Sequence, residues 1–304
     1  MNQIVECVPN FSEGRRLETT KQLSAAIESV NDAFVLGTHI DTDHNRSVIT
    51  FVSSPASVVE AALRAVATAA NLIDIGMHTG QHPRIGATDV LPFVPVRGVT
   101  MDQCVTLAHE AGQRIASELQ IPVYFYERAA LRADRARLED VRQRGFEELR
   151  ERIGVDPLRA PDVGPARVHQ TAGAIAIGAR PFLIAFNVNL RTSETSIARA
   201  IAHAIRARDG GLPFVKALGF ELKSRGLVQV SMNLIDYQST GLAEVFAAVQ
   251  QQAESLNVQI EGTEIVGLVP QAALDRGAAY FPLLENFTED TILENGLRTQ
   301  MKES

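Results

Sequence analysis

Pro181-Phe182-Leu183-Ile184-Ala185-Phe186-Asn187-Val188 is an apolar run of strand length that follows a Gly- and Pro-dense stretch, and it opens a second structural unit. Beyond it the pattern predicts a helix over 193–207 closed by Gly210-Gly211, and strands near 213–220 and 227–234. A helix over 242–256 and a strand over 259–266 complete the order β-α-β-β-α-β.

The first half reads the same way. A strand over 3–9 stops at Pro9-Asn10, and Leu17, Leu23 and Ile27 mark a helix over about 15–29. Strands over 33–39 and 47–53 flank a wide polar loop, Asp41 to Arg46. Ser54 as N-cap and Pro55 at the first helical position start a helix with Val58, Ala62, Val66 and Ala69 on one stripe, ending near Ile73. After a loop from His78 to Gly86, broken by Gly80 and Pro83, comes a strand over Val90 to Val96. An additional helix, strand and helix follow. Thr100 and Gln103 form a capping box for Val105, Ala108, Ala111, Ile115 and Leu119, and Val123 to Tyr126 is a short strand. Residues 134–153 predict a solvated, charge-dense helix with Leu138, Val141, Leu149 and Ile153 on one side. The repeated order predicts an α+β chain of two ferredoxin-like (βαββαβ) subdomains, 1–178 and 179–304.

Composition bounds the function. At 304 residues the chain nears the limit for one core, which favours two compact subdomains. A net charge of −7 argues against nucleic acid and anionic lipid as partners. Nowhere do eighteen apolar residues run together, so no membrane span is expected. The opening Ile4-Val5-Glu6-Cys7-Val8 does not read as a signal peptide. Only Cys7 and Cys104 are present, which suits a reducing compartment.

The loop His78-Thr79-Gly80-Gln81-His82-Pro83-Arg84-Ile85-Gly86-Ala87-Thr88-Asp89 gathers two histidines, an arginine and an aspartate. Histidine can take and return a proton near neutral pH, and glycine lets backbone approach a ligand, so a catalytic loop is one reading. A turn with surface histidines is the other. His78 and His82 have the i, i+4 spacing of helical zinc ligands, but Gly80 and Pro83 oppose a helix and no general-base glutamate lies between them, so no metal is expected. The stretch from Pro161 to Gly173 lies near the predicted junction, as either a linker or the wall of a ligand crevice. Neither a dinucleotide fingerprint nor a P-loop lysine is present.

Several blocks resemble the formiminotransferase family. They include Val5-Glu6-Cys7-Val8-Pro9-Asn10-Phe11-Ser12-Glu13-Gly14, Asn45-Arg46-Ser47-Val48 with Thr50-Phe51, and His82-Pro83-Arg84 with Gly86-Ala87 and Asp89-Val90. Pro95 to Thr100, Gly178-Ala179-Arg180, Phe186-Asn187-Val188-Asn189-Leu190 and Val266-Gly267-Leu268-Val269-Pro270 extend the likeness over nearly the whole chain, weakening after about residue 280. The resemblance implies two ferredoxin-like subdomains with a folate crevice between them, usually in a homodimer. It implies His82 as catalytic histidine, and Gly164, Pro165, Ala166, Arg167, Val168, His169, Gln170, Thr171, Ala172 and Gly173 as the folate-binding stretch.

The implied reaction moves the formimino group of N-formimino-L-glutamate to nitrogen 5 of tetrahydrofolate in the cytoplasm, with no metal. Arg46, Arg84 and Arg167 are candidate partners for substrate carboxylates. Asp41 and Asp89, ahead of Asp43, are candidates to orient His82. Gln81 departs from the glutamate of the animal enzymes. The chain stops at Ser304, so cyclisation of the product is expected of a separate cyclodeaminase. Rival readings are an N-formylglutamate-dependent formyltransferase and a catalytically silent folate-binding module. A 5-formyltetrahydrofolate cyclo-ligase would need an ATP phosphate cradle, and none is evident.

Overall fold

The computed structural model describes residues 2–80, 83–285 and 287–303, with the side chains of 300–303 left aside. Two compact units divide at Arg180/Pro181.

In the first unit the elements are β1 (Ile4–Cys7), β2 (Asn10–Phe11), α1 (Leu17–Glu28), β3 (Ala33–Asp41), β4 (Arg46–Ser53), α2 (Val58–Leu72) and β5 (Thr88–Arg97). Then come α3 (Met101–Leu119), β6 (Val123–Glu127), α4 (Leu138–Val141), α5 (Gly145–Arg152) and β7 (Ile175–Ala179). β1 and β2 lie between β5 and β4, and β3 adds outside β4, every pairing antiparallel. β7 then pairs in parallel with β5 on one side and β6 on the other.

The second unit holds β8 (Ile184–Leu190), α6 (Thr195–Ile205), β9 (Val215–Leu222), β10 (Leu227–Leu234), α7 (Leu242–Ser255), β11 (Ile260–Val266) and α8 (Leu293–Glu303). Its sheet runs β11-β8-β10-β9, all antiparallel. The first unit has the same fourth-first-third-second sequence in β5, β1/β2, β4 and β3. The ferredoxin-like element order therefore corresponds to a repeated topology.

Alternation fixes which residues are core. Val5, Cys7, Ile49, Phe51, Leu91 and Phe93 turn to the face that α1, α2 and α3 cover. Each large apolar side chain buried there contributes on the order of 1.5–3 kcal/mol. On the opposite face of β5, β7 and β6, Val90, Tyr124, Tyr126 and Ala176 pack with Val141, Leu149 and Ile153. A separate core in the second unit joins Phe186, Val188, Val230 and Met232 to Ile201, Ala202, Val245 and Val249. Glu6, opposite Val52 and Val94 in register, is 2% exposed. Burial drives its carboxyl pKa up to about 7, with the Arg180 charge only partly opposing.

Four expectations change. Helix α2 begins at Val58 rather than at Pro55, because the Ser54 carbonyl accepts bonds from Ser57 and Val58 and makes a separate turn first. The β3–β4 connection is not wide: only Thr42 to Asn45 join the strands, with Asn45 at φ +49°. Residues 134–153 are not one solvated helix. Arg144, between α4 and α5, and Gly145, which opens α5, take φ +62° and +72°, and Arg135 is buried in an ion pair with Asp162 at 2.6 Å. Finally, Pro161 to Gly173 is no linker at a junction. It precedes β7, the strand that completes the first sheet, and Val163 bonds Val123 at the start of β6. The capping box holds: Thr100 Oγ1 accepts from Gln103 N at 3.2 Å and Gln103 Oε1 from Thr100 N at 2.8 Å.

Candidate functional site

Three chain segments meet at one end of the first unit's sheet because small or left-handed residues let them. Gly14 passes so close to the β3–β4 turn that a Cβ there would overlap the Asp41 carbonyl oxygen and the Arg46 backbone. Gly80 is pressed against the carbonyl of His44 and the side chain of Asn45 in the same way. Asn45 then ties all three together. Its Oδ1 accepts from Gly14 N at 2.9 Å, its Nδ2 donates to Thr79 O at 3.0 Å, and its carbonyl accepts from His78 Nε2 at 2.9 Å. Ser12 Oγ donates to Gly86 O at 2.7 Å from the other side.

Charged groups surround this knot. Asp41 accepts from His44 N at 2.8 Å and pairs with His44 Nδ1 at 2.6 Å. Burial would raise the Asp41 carboxyl pKa, but the His44 bonds and charge outweigh it and hold the value below the ordinary range. Asp89 accepts from Ile85 N at 2.8 Å and meets the Arg142 guanidinium at 2.5 Å. Its burial is deep enough to raise its pKa in spite of that cation. Arg46 lies among the charges of Arg142, Asp89 and Asp41, and burial lowers its pKa to about 10. Arg84 donates to the His78 carbonyl at 3.1 Å and pairs with Glu147 of α5 at 2.8 Å.

Asp41, Arg46, Arg84 and Asp89 are thus brought to one place by the fold. A small recess there is lined by Asn10, Ser12, Asn45, Arg46, His78 and Asp89, among others. His82 and Gln81 lie outside the described residues. The loop that carries them is anchored on both flanks, at His78 by Asn45 and at Arg84 by Glu147.

The stretch 164–173 divides in two. From His169 onward it is sewn into the fold. His169 and Gly173 exchange backbone bonds at 2.8 and 3.1 Å, Thr171 Oγ1 donates to Ala70 O at 2.8 Å, and the Ala172 carbonyl accepts from Ala87 N at 2.9 Å. His169 Nδ1 accepts from Ala172 N at 3.1 Å, and burial lowers the ring's pKa. Val168 and Pro165 are half-buried, whereas Gly164, Ala166, Arg167 and Gln170 are exposed. Arg167 has no side-chain partner among the described residues.

Gly164 (φ +94°) and Gly173 (φ +70°) are required by their own backbone. A Cβ at Gly173 would stand 2.5 Å from the Ile85 carbonyl oxygen. Sequence reasoning missed Asn45, Arg142 and Glu147. Asn45 offered one signal, an asparagine in a polar turn, where left-handed φ is tolerated. The arginine and glutamate gave none, since both sat in the stretch read as a solvated helix. Among the described residues no group of three His, Cys, Asp or Glu side chains is placed to hold a metal ion.

Residues 4–180 match the formiminotransferase domain, N-terminal subdomain, and residues 185–296 match the formiminotransferase domain. The chain is 48% identical to a glutamate formimidoyltransferase of Thermoplasma acidophilum, over 96% of each. It is 41% identical to one of Streptococcus pyogenes serotype M1, over 98% of this chain and 99% of that one. Against a formimidoyltransferase-cyclodeaminase of Sus scrofa it is 44% identical over 94% of this chain, which spans 54% of that protein.

Proposed function

We propose, from the premise that the chain belongs to the formiminotransferase family, that it is a glutamate formimidoyltransferase. It moves the formimino group of N-formimino-L-glutamate to nitrogen 5 of tetrahydrofolate, giving 5-formiminotetrahydrofolate and L-glutamate. One observation carries this: the likeness to the stand-alone Thermoplasma enzyme spans 96% of both chains, including both family segments in order.

Nitrogen 5 attacks the formimino carbon, forming the new C–N bond, and its proton goes to a base. The bond from that carbon to the glutamate nitrogen then breaks, and the leaving amine takes a proton. His82 is assigned both transfers, a contribution of about 10²–10⁴-fold. Holding the two reactants in register offsets up to roughly 7–11 kcal/mol of the barrier. The anchored flanks of its loop suit that task. Arg84 shares its charge with Glu147, so Arg167, exposed and without a side-chain partner among the described residues, is the better candidate for a folate carboxylate. Gly164 to Gly173 is taken as the folate-binding stretch. Asp41 and Asp89 act on the site through His44 and Arg142.

Tetrahydrofolate enters as co-substrate and leaves as product, and no metal takes part. Cytoplasmic location and a homodimer complete the reading. The chain spans 54% of the pig formimidoyltransferase-cyclodeaminase and 96% of the Thermoplasma glutamate formimidoyltransferase, and cyclisation of the product is assigned to a separate cyclodeaminase by likeness to the latter. Purified protein given formiminoglutamate and tetrahydrofolate should release glutamate and form 5-formiminotetrahydrofolate, with or without chelator. Turnover with N-formylglutamate and none with formiminoglutamate would turn the assignment to the formyl rival.

A further inference from the structure

The transfer chemistry above leaves His78 without a task. Its Nε2 lies 2.9 Å from the Asn45 carbonyl oxygen, which can only accept, so that nitrogen carries the proton. Burial, then the Arg84 and Arg15 charges, lower the imidazole pKa against the lift given by the Asn45 bond, and the ring is neutral near pH 7. A neutral ring protonated on Nε2 has a bare lone pair on Nδ1. That atom is sealed from solvent and meets no donor among the described residues. A buried acceptor without a donor costs about 1–3 kcal/mol, and such groups are rare in native proteins.

The ring lines the same recess as Asn45, Arg46 and Asp89, and the recess has room for about 10 Å³. That is roughly the space one water needs. A recess of that size takes a small group bearing a hydrogen, not a pterin ring. Asp89 in the same recess supplies a carboxylate beside a group that is cationic when protonated.

We propose that His78 is the residue that sets the choice of one-carbon group. Its Nδ1 accepts a hydrogen bond from the N–H of the formimino group in transfer, and so selects formimino over formyl donors. The inference rests on the formimidoyl-transfer reading. The two donors differ at one position, N–H in formimino against oxygen in formyl. A formyl oxygen placed there would face the Nδ1 lone pair and leave the imidazole still without a donor. Sites built to bond a substrate N–H reject analogues lacking it by as much as about 10⁴–10⁵-fold. A single bond to a neutral ring should supply at least about tenfold of this, the equivalent of about 1.4 kcal/mol.

Two substitutions separate the roles of the two ring nitrogens. His78→Gln sets an amide nitrogen where Nε2 stood, keeping a donor for the Asn45 carbonyl while removing the acceptor at the Nδ1 position. His78→Asn does the reverse. The measurement is kcat/KM with formiminoglutamate and with N-formylglutamate at saturating tetrahydrofolate, alongside melting temperatures.

His78→Gln should melt like the wild type and lower the formimino-to-formyl ratio at least about tenfold, through the formimino side. His78→Asn should melt lower and keep most of the ratio. An unchanged ratio in folded His78→Gln overturns the proposal. If that variant does not fold, a collapsed ratio in His78→Asn overturns it equally. Wild-type protein inactive with both donors would instead overturn the transferase assignment, which is a different result.

Discussion

The carboxylate of Asp89 and the guanidinium of Arg142 meet at 2.5 Å with 4% and 14% of their side chains exposed. The pair ties the strand that begins after the candidate loop to the residue that ends α4. Asp89→Asn would leave the Arg142 charge, with Arg46 nearby, short of its counter-ion in a poorly hydrated place. Breaking one partner of a buried pair costs roughly 3–5 kcal/mol, and urea midpoints should show a loss of that size. A loss under about 1 kcal/mol would mean that water reaches Arg142 after all.

Glu6 gives a pH dependence with a definite sign. Its carboxyl is raised from an ordinary 4.5 to about 7 by burial, which the Arg180 charge only partly offsets. The folded state therefore holds the proton more tightly than the unfolded chain, so this contribution is fully present below pH 4.5 and is lost as pH rises through 7. Glu6→Gln imitates the protonated form. It should match the wild type near pH 4.5 and exceed it by on the order of 1–3 kcal/mol at pH 8. Parallel stability curves for the two proteins across that range would contradict the buried assignment of Glu6.

His82→Ala should reduce turnover by at least about 10²-fold while folinic acid still binds. Near-normal turnover in that variant would remove His82 from the mechanism.

For the folate stretch, the informative substitution is Arg167→Ala. Valine at Gly164 or Gly173 would put a side chain on a left-handed backbone and against Ile121 or Ile85, so lost binding there would report damage to the fold. Arg167 is exposed, and its removal should change stability by less than about 0.5 kcal/mol. If the stretch binds folate, titration with folinic acid should show at least a several-fold weaker affinity. Unchanged affinity in the folded variant would place the folate tail elsewhere.

Element order was legible where hydrophobic period and punctuation agreed. The Leu227–Leu234 strand was read to the residue, and the Thr100 cap placed α3 because its box is a local signal. The reading failed where long-range contacts override local pattern. Arg135 and Arg142 have the composition of a solvated face, yet Asp162 and Asp89, far away in sequence, draw them inward. The C-terminal α8 went unread because few of its residues are apolar. At the site, residue types were legible and partnerships were not: nothing local says that Asn45 joins Gly14, Thr79 and His78.

The insertion of β7 between β5 and β6 bears on how the chain is made. A ribosome delivers β6, at Val123–Glu127, well before Ile175–Ala179 exist to pair with it. Until then the nascent first unit carries an open edge on β5 and a stranded β6, both apolar and able to pair with another chain. Chains interrupted before residue 175 should therefore aggregate, whereas release after Arg180 leaves every strand of the first sheet paired. For these two strands the arrival of β7 ends the vulnerable interval in synthesis.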